Sequence, residues 1–302
     1  MKLLLLGAGG QVGFELHRSL APLGEVVAAT RDGRLPGGGR GEVADLSDPS
    51  SLEALLQIER PDVIVNAAAY TAVDRAESEP ELATRINAEA PGVLARWCKV
   101  YGARLLHYST DYVFDGSANR PWREADATAP LCVYGQSKRE GEIALADSGA
   151  EYLVLRTAWI YAARGHNFLR TMLRLGAERD RLQVVCDQTG SPTPARWIGA
   201  ATALILARTQ NGTPWRSGTV HLAASGQTTW HGFAEAIFED ALAAGLIDRA
   251  PFVEAIPTQA WPTPAQRPAY SCLDTRVLRE RFGVTLPDWR LGVSQVIGEL
   301  AR

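Results

Sequence analysis

The chain has 302 residues, room for about two domains by the usual domain size, and a net charge of −3 from 31 Lys and Arg against 34 Asp and Glu. That near-balance argues against a binder of the phosphate backbone, which would be markedly basic. With 46% hydrophobic and 22% charged residues, disorder, collagen and coiled coil are set aside as well.

Lys2–Leu6 is a continuous apolar run closed by Gly7, the pattern of a strand buried on both faces of a parallel sheet. The run is too short for a signal peptide or a membrane span, so a soluble cytoplasmic protein is expected. Gln11–Leu23 has helical spacing, with Val12, Leu16 and Leu20 on one face and Gly24 at its end. Glu25–Ala29 is the next strand, and Gly33–Gly41 is glycine-dense enough for a flexible surface loop. A helix over Pro49–Glu59, capped by Asp48 or Ser47, leads to a strand over Asp62–Ala67. Helix 81–100, strand 103–109, helix 137–148 and strand 152–157 follow. This alternation predicts an α/β fold, a doubly wound Rossmann-type parallel sheet covered by helices.

Beyond Thr157 the rhythm weakens. Helices are expected over 167–175, 195–209 and 230–244, a strand over 218–222, and a polar loop over 187–194. Prolines 251, 257, 262, 264 and 268 exclude regular structure from Pro251–Pro268. The organisation read from this is a dinucleotide-binding domain of residues 1–160 plus about 195–226. A smaller C-terminal substrate-binding lobe takes about 161–194 plus 227–302. Cys98, Cys132, Cys186 and Cys272 form no C-x-x-C pair, and the five histidines form no i, i+4 ligand pair. Buried, reduced thiols are expected rather than a zinc or redox site.

Gly7, Gly10 and Gly13 form G-x-x-G-x-x-G between the first strand and first helix. Gly7 permits the tight turn, Gly10 admits a pyrophosphate to the backbone, and Gly13 lets helix and strand pack closely. Gln11 and Val12 open the helix, whose free N–H groups bind the anion. After the second strand, Thr30-Arg31 stands where an NAD-binding sheet usually places an acid. Arg31 suits a 2′-phosphate, favouring NADPH, while the neighbouring Asp32 keeps NADH open. Asp45-Leu46, after a further short strand, is placed to meet the adenine.

Tyr134-Gly135-Gln136-Ser137-Lys138 is Y-x-x-x-K, which sets phenol and amine on one helix face. A phenol is a poor acid–base group at neutral pH, and a nearby ammonium lowers its pKa. Upstream, Ser109-Thr110-Asp111 ends a strand, with a hydroxyl able to reach the same substrate oxygen.

The order glycine loop, strand-end hydroxyl and Y-x-x-x-K resembles the extended short-chain dehydrogenase/reductase superfamily. More narrowly, the chain is similar to the family of dTDP-4-dehydrorhamnose reductases, which reduce a nucleotide-linked 4-keto sugar in dTDP-rhamnose biosynthesis. The resembling stretches are Gly7–Glu15, Asn66–Asp74, Ser109–Gly116, Tyr134–Lys138 and Leu155–Tyr161, with looser matches at Asp187–Thr193 and Arg267-Pro268. The resemblance implies Tyr134 as proton donor and Lys138 as its activator and ribose ligand. It implies Thr110, Asp111 and Trp159 around the sugar, and Ala67, Ala68 and Ala69 along the cofactor. Arg267 is expected on the substrate's pyrophosphate. Tyr112 follows Thr110-Asp111 where a related 4,6-dehydratase has the glutamate its elimination needs, so dehydration is rejected. Another nucleotide-4-ketosugar reductase and a noncatalytic, NADP-binding regulatory subunit stay open, as does a homodimer. Glu15 matches a position linked to Mg2+ in some family members, with the later acids unplaced.

Overall fold

The computed structural model describes residues 1–301. Its strands are β1 (Lys2–Leu6), β2 (Glu25–Thr30), β3 (Glu42–Val43), β4 (Val63–Asn66), β5 (Arg104–Thr110), β6 (Glu151–Thr157) and β7 (Ile160–Tyr161), then β8 (Arg181–Val185), β9 (Thr189–Gly190), β10 (Thr193–Pro194), β11 (Gly218–His221), β12 (Thr228–Thr229) and β13 (Phe252–Ile256). The helices are α1 (Gln11–Leu20), α2 (Pro49–Glu59), α3 (Val73–Ala76), α4 (Pro80–Thr84), α5 (Ala90–Tyr101) and α6 (Val133–Asp147), then α7 (Phe168–Glu178), α8 (Ala195–Gln210), α9 (Trp230–Ala243), α10 (Arg276–Phe282) and α11 (Trp289–Leu300).

Seven strands form one sheet in the order β11-β6-β5-β4-β1-β2-β3, and every pairing in it is parallel. The order reverses between β1 and β4, where an open α/β sheet leaves a crevice at the carboxyl ends of its strands. Alternating residues feed two cores. Leu3, Leu5, Val63, Val65 and Leu106 face α1 and α8, whereas Leu4, Leu6, Ile64 and Leu105 face α2, α5 and α6. This double burial is why the strands read as unbroken apolar runs. A third core joins Leu169 and Met172 to Phe233, Ile237, Val293 and Val296. No helix among the described residues is long and apolar enough to cross a membrane.

Several expectations are corrected. Pro251–Pro268 is not wholly irregular: β13 lies inside it, parallel to β8. Pro251 and Pro257 fall just outside the strand, where the missing N–H costs no ladder bond. Both β8 and β13 are short and half-exposed, so neither has a strong pattern. The expected helix over 81–100 is interrupted by a π-helical turn at Arg85–Glu89. The expected 187–194 loop contributes two two-residue strands, β9 and β10. The first helix stops at Leu20 and passes into a 3-10 turn, and α6 starts at Val133, ahead of the expected 137. The glycine-dense loop is closed by a bridge between Arg34 and Arg40. Of the four free cysteines, Cys186 is exposed, while the other three are buried. Leu278, Phe282, Val284 and Leu286, expected in the smaller lobe, are buried in a core of the main sheet.

Candidate active site

The glycine cradle forms at the end of β1. Gly7 adopts a left-handed φ of +80°, and a Cβ there would come 2.6 Å from the Ala68 nitrogen. At Gly13 a Cβ would fall 2.0 Å from Gly7 O, so only glycine lets α1 approach β1 this closely. Gly10 is the N-cap of α1 without a side-chain cap, leaving the first N–H groups of the helix free for an anion. Val12 is buried in the sheet core. Gln11 reaches across the crevice instead, accepting from Asn167 Nδ2 at 2.8 Å and donating to the His166 carbonyl at 3.3 Å.

Ala67 and Ala68 pack against Gly7, Ala69 follows them half-buried, and Arg31 is exposed past the end of β2. Asp32 is held by Thr30 Oγ1 and the Arg34 N–H, the latter bond pulling its pKa down. Asp45 accepts from the N–H and hydroxyl of Ser47 at 2.9 and 2.8 Å, shaping a turn, and Leu46 is buried beneath it. Glu15 packs against Gly199 of α8. Among the described residues no group of three or more His, Cys, Asp or Glu is arranged to hold a metal ion.

At the carboxyl end of β5, Thr110 Oγ1 accepts from the Tyr112 N–H at 3.2 Å and donates to Asp111 Oδ1 at 3.0 Å. Tyr134 is brought to this end of β5 by the edge-on contact of its ring with Tyr112, so phenol, hydroxyl and carboxyl lie in one neighbourhood. Burial pushes the Asp111 carboxyl up to about 6, with the hydrogen bond from Thr110 opposing. Asp111 Oδ2 and the neighbouring Ser109 Oγ are buried without a partner, and buried polar atoms of this kind call for a ligand or water.

Tyr134 lies in the first turn of α6, and Lys138 follows one turn on. The expected lowering of the phenol's pKa does not occur. Surrounding protein pushes it up, the Thr110 hydroxyl opposing and the Asp111 charge adding to the rise. The reason is where the amine goes. Lys138, only 2% exposed, donates to the Tyr108 carbonyl at 2.6 Å and lies 3.1 Å from His107 Nε2. Burial lowers its own pKa to about 8, with Glu142 opposing.

The outer wall holds Arg267, whose guanidinium donates to Asp74 Oδ2 at 2.8 Å and to the Tyr112 hydroxyl at 3.2 Å. Tyr112 packs edge-on to Tyr134 with ring centroids 5.6 Å apart. Trp159, at a left-handed φ of +46°, stacks on Trp230 with centroids 3.5 Å apart, and its ring covers Gly190. Sequence reasoning missed Asn66, His107, Asp74, Asn87 and Trp230. Asn66 and His107 had a signal, since each is a polar residue inside an apolar strand. Asn87 bonds both the N–H and the carbonyl of Tyr70, and it stands in the π-turn that no sequence pattern announces.

Residues 1–302 match the family described as RmlD substrate binding domain. A dTDP-4-dehydrorhamnose reductase of Burkholderia thailandensis is 48% identical over 307 residues, covering 99% of each chain. The crystal structure of a dTDP-4-dehydrorhamnose reductase from Clostridium acetobutylicum superposes with a TM-score of 0.89 at 33% identity, covering 100% of both chains. One from Bacillus anthracis, solved in complex with NADP, gives a TM-score of 0.86 at 32% identity and 99% coverage of both chains.

Proposed function

The chain belongs to the dTDP-4-dehydrorhamnose reductase family, and from that membership we propose how its own residues carry the reaction. It is an NAD(P)H-dependent oxidoreductase of dTDP-rhamnose synthesis, reducing the C4 keto group of dTDP-4-dehydro-6-deoxy-L-mannose to dTDP-L-rhamnose. The observation that carries the residue assignment is the meeting of the Thr110–Asp111 hydrogen bond at the carboxyl end of β5 with Tyr134 at the start of α6, packed edge-on to Tyr112.

The cradle fits a dinucleotide, because a Cβ at Gly7 or Gly13 would fill it and the start of α1 has no cap of its own. Gly7, Gly10, Gln11 and Val12 take the pyrophosphate, and Asp45, Leu46 and Ala67–Ala69 flank the bound cofactor. The reduced nicotinamide, when bound, supplies the hydride to the sugar's C4 carbon. Tyr134 gives its proton to the carbonyl oxygen as that oxygen becomes a hydroxyl. Its raised pKa keeps the phenol protonated at neutral pH, which suits a donor. Thr110 meets the same oxygen by turning its hydroxyl away from Asp111 Oδ1, which accepts its proton in this structure. Lys138 steadies the ribose side of the site. Trp159 and Asp111 border the sugar, with Arg267 near its diphosphate.

NADPH is the reading for the cofactor because Asp32 is turned to Thr30 and Arg34, which leaves the exposed Arg31 to meet a 2′-phosphate. The two lobes read from the sequence, with α10 moved to the larger, hold cofactor and sugar nucleotide respectively.

Tyr134→Phe tests the assignment. With dTDP-4-dehydro-6-deoxy-L-mannose and NADPH, the fall in NADPH absorbance slows by about 10²–10⁴-fold, while the NADPH dissociation constant stays within about twofold of wild type. Turnover equal to wild type removes Tyr134 from the chemistry.

A further inference from the structure

Asn66 and His107 sit opposite each other on β4 and β5, both fully buried, and the reaction as described uses neither. Their donors and acceptors fix their state. The Ala68 N–H donates to Asn66 Oδ1 at 3.2 Å, so the amide NH2 turns to His107 Nδ1, 3.0 Å away. The opposite orientation would set one N–H donor against another. Nδ1 therefore accepts. Burial holds the imidazole well below the ordinary histidine range, so the ring is neutral, and with Nδ1 accepting its single proton is on Nε2. That N–H points at Lys138 Nζ, 3.1 Å away, and the contact is satisfied only where the amine offers a lone pair.

We propose that the Ala68–Asn66–His107 chain is a tautomer lock: His107 is a positioning residue that selects the neutral amine of Lys138, and protonating that amine is coupled to the cofactor cradle at Ala68. The proposal rests on the reading of Lys138 as the residue at the ribose side of the site. The titratable groups beside Lys138 are Glu142 of α6 and His107 of β5, with the Tyr108 carbonyl accepting from its amine. Glu142 is itself engaged by Arg156 of β6 and by Arg139. A proton taken from solvent leaves Nζ a donor only. The ring then releases its Nε2 proton to solvent and takes one from solvent at Nδ1, with no net change in its own proton count; the Asn66 amide turns over, and the Ala68 N–H loses its acceptor. Ala68 is the residue against which Gly7 packs, so the charge on Lys138 is felt where phosphate binds. The coupling is reciprocal: bound cofactor biases the amine by the same amount.

The test begins with the free wild-type protein, uniformly labelled with 15N, from about pH 6.5 to about pH 9.5, with His107→Gln identifying the ring's resonances. The lock requires an Nε2–H imidazole at the alkaline end, converting to Nδ1–H as Lys138 protonates, with the Ala68 amide resonance moving at the same midpoint. An Nδ1–H ring at the alkaline end, or a tautomer constant through the window, overturns it. In turnover, His107→Leu removes the donor that favours the neutral amine and raises the Lys138 midpoint in the kcat profile by about one unit. His107→Gln offers an acceptor to Asn66 and a donor to Lys138, and restores that midpoint. The same midpoint in wild type and His107→Leu also overturns the lock. If the wild type lacks reductase activity but shows the tautomer switch, the functional reading fails and the lock stands. An active wild type with an Nδ1–H ring overturns the lock and leaves the functional reading in place.

Discussion

Gly7 is constrained twice, by its left-handed φ of +80° and by the Ala68 backbone 2.6 Å from where a Cβ would sit. Gly7→Ala therefore displaces the cradle, and the NADP+ dissociation constant measured by calorimetry rises by at least about tenfold, with the far-UV spectrum unchanged. Asp111 makes a different kind of prediction. Its folded-state pKa of about 6 lies above the ordinary 3.8 because burial disfavours the carboxylate. The protonated group thus favours the fold, and this contribution, complete below about pH 4, is lost as pH rises through about 6. Asp111→Asn keeps a neutral group, so its Tm exceeds that of wild type by about 5 °C near neutral pH, and the gap closes toward pH 4. A gap that widens on acidification contradicts the assigned burial effect. Arg31 is the third test. Arg31→Ala lowers kcat/KM with NADPH by about tenfold and leaves that with NADH unchanged, if the guanidinium meets a phosphate. The glycines, Thr110, Tyr134 and Lys138 were legible because their chemistry depends on spacing along the chain. The partners of Lys138 were not, since His107 and Asn66 meet it only across the sheet and helix packing.

Among the elements, α6 matters most, because it carries both Tyr134 and Lys138. Its position is fixed by Gly141, where a Cβ would come 2.2 Å from Asn87 O, and by Glu142, paired at 2.7 and 2.8 Å with Arg156 of β6. Glu142→Gln leaves the Arg156 charge buried without its full partner. Loss of one member of such a pair costs about 3–5 kcal/mol, so the midpoint of chemical denaturation falls markedly. Replacing both residues by apolar ones of similar size recovers most of the loss, and failure to recover would place the pair's role elsewhere. The long strands and helices were readable from periodicity, since burial on both faces leaves an unmistakable apolar run. β8 and β13 were not readable. Their pairing joins segments about seventy residues apart, and their half-exposed sequences carry no period that a local window detects.

Across the whole molecule, the crevice is bridged by Asp74 and Arg267 and floored by Trp159 on Trp230. The stacked indoles lie beside Gly190, in the stretch expected to meet the sugar nucleotide. Binding of dTDP is expected to quench part of the tryptophan fluorescence, and Trp230→Phe to diminish that response. A response identical in this variant puts the nucleotide elsewhere. The sheet also imposes an order of assembly. The strand at one edge of it, β11, is reached only after about two thirds of the chain, and Leu278, Phe282 and Leu286 close a core begun by Leu3 and Leu5. A nascent chain leaving the ribosome thus holds β1 against an unfinished core until Leu286 has been made. A chain stopped before Leu278 lacks those residues of the core and hands the cell's proteases an open sheet rather than a smaller working protein.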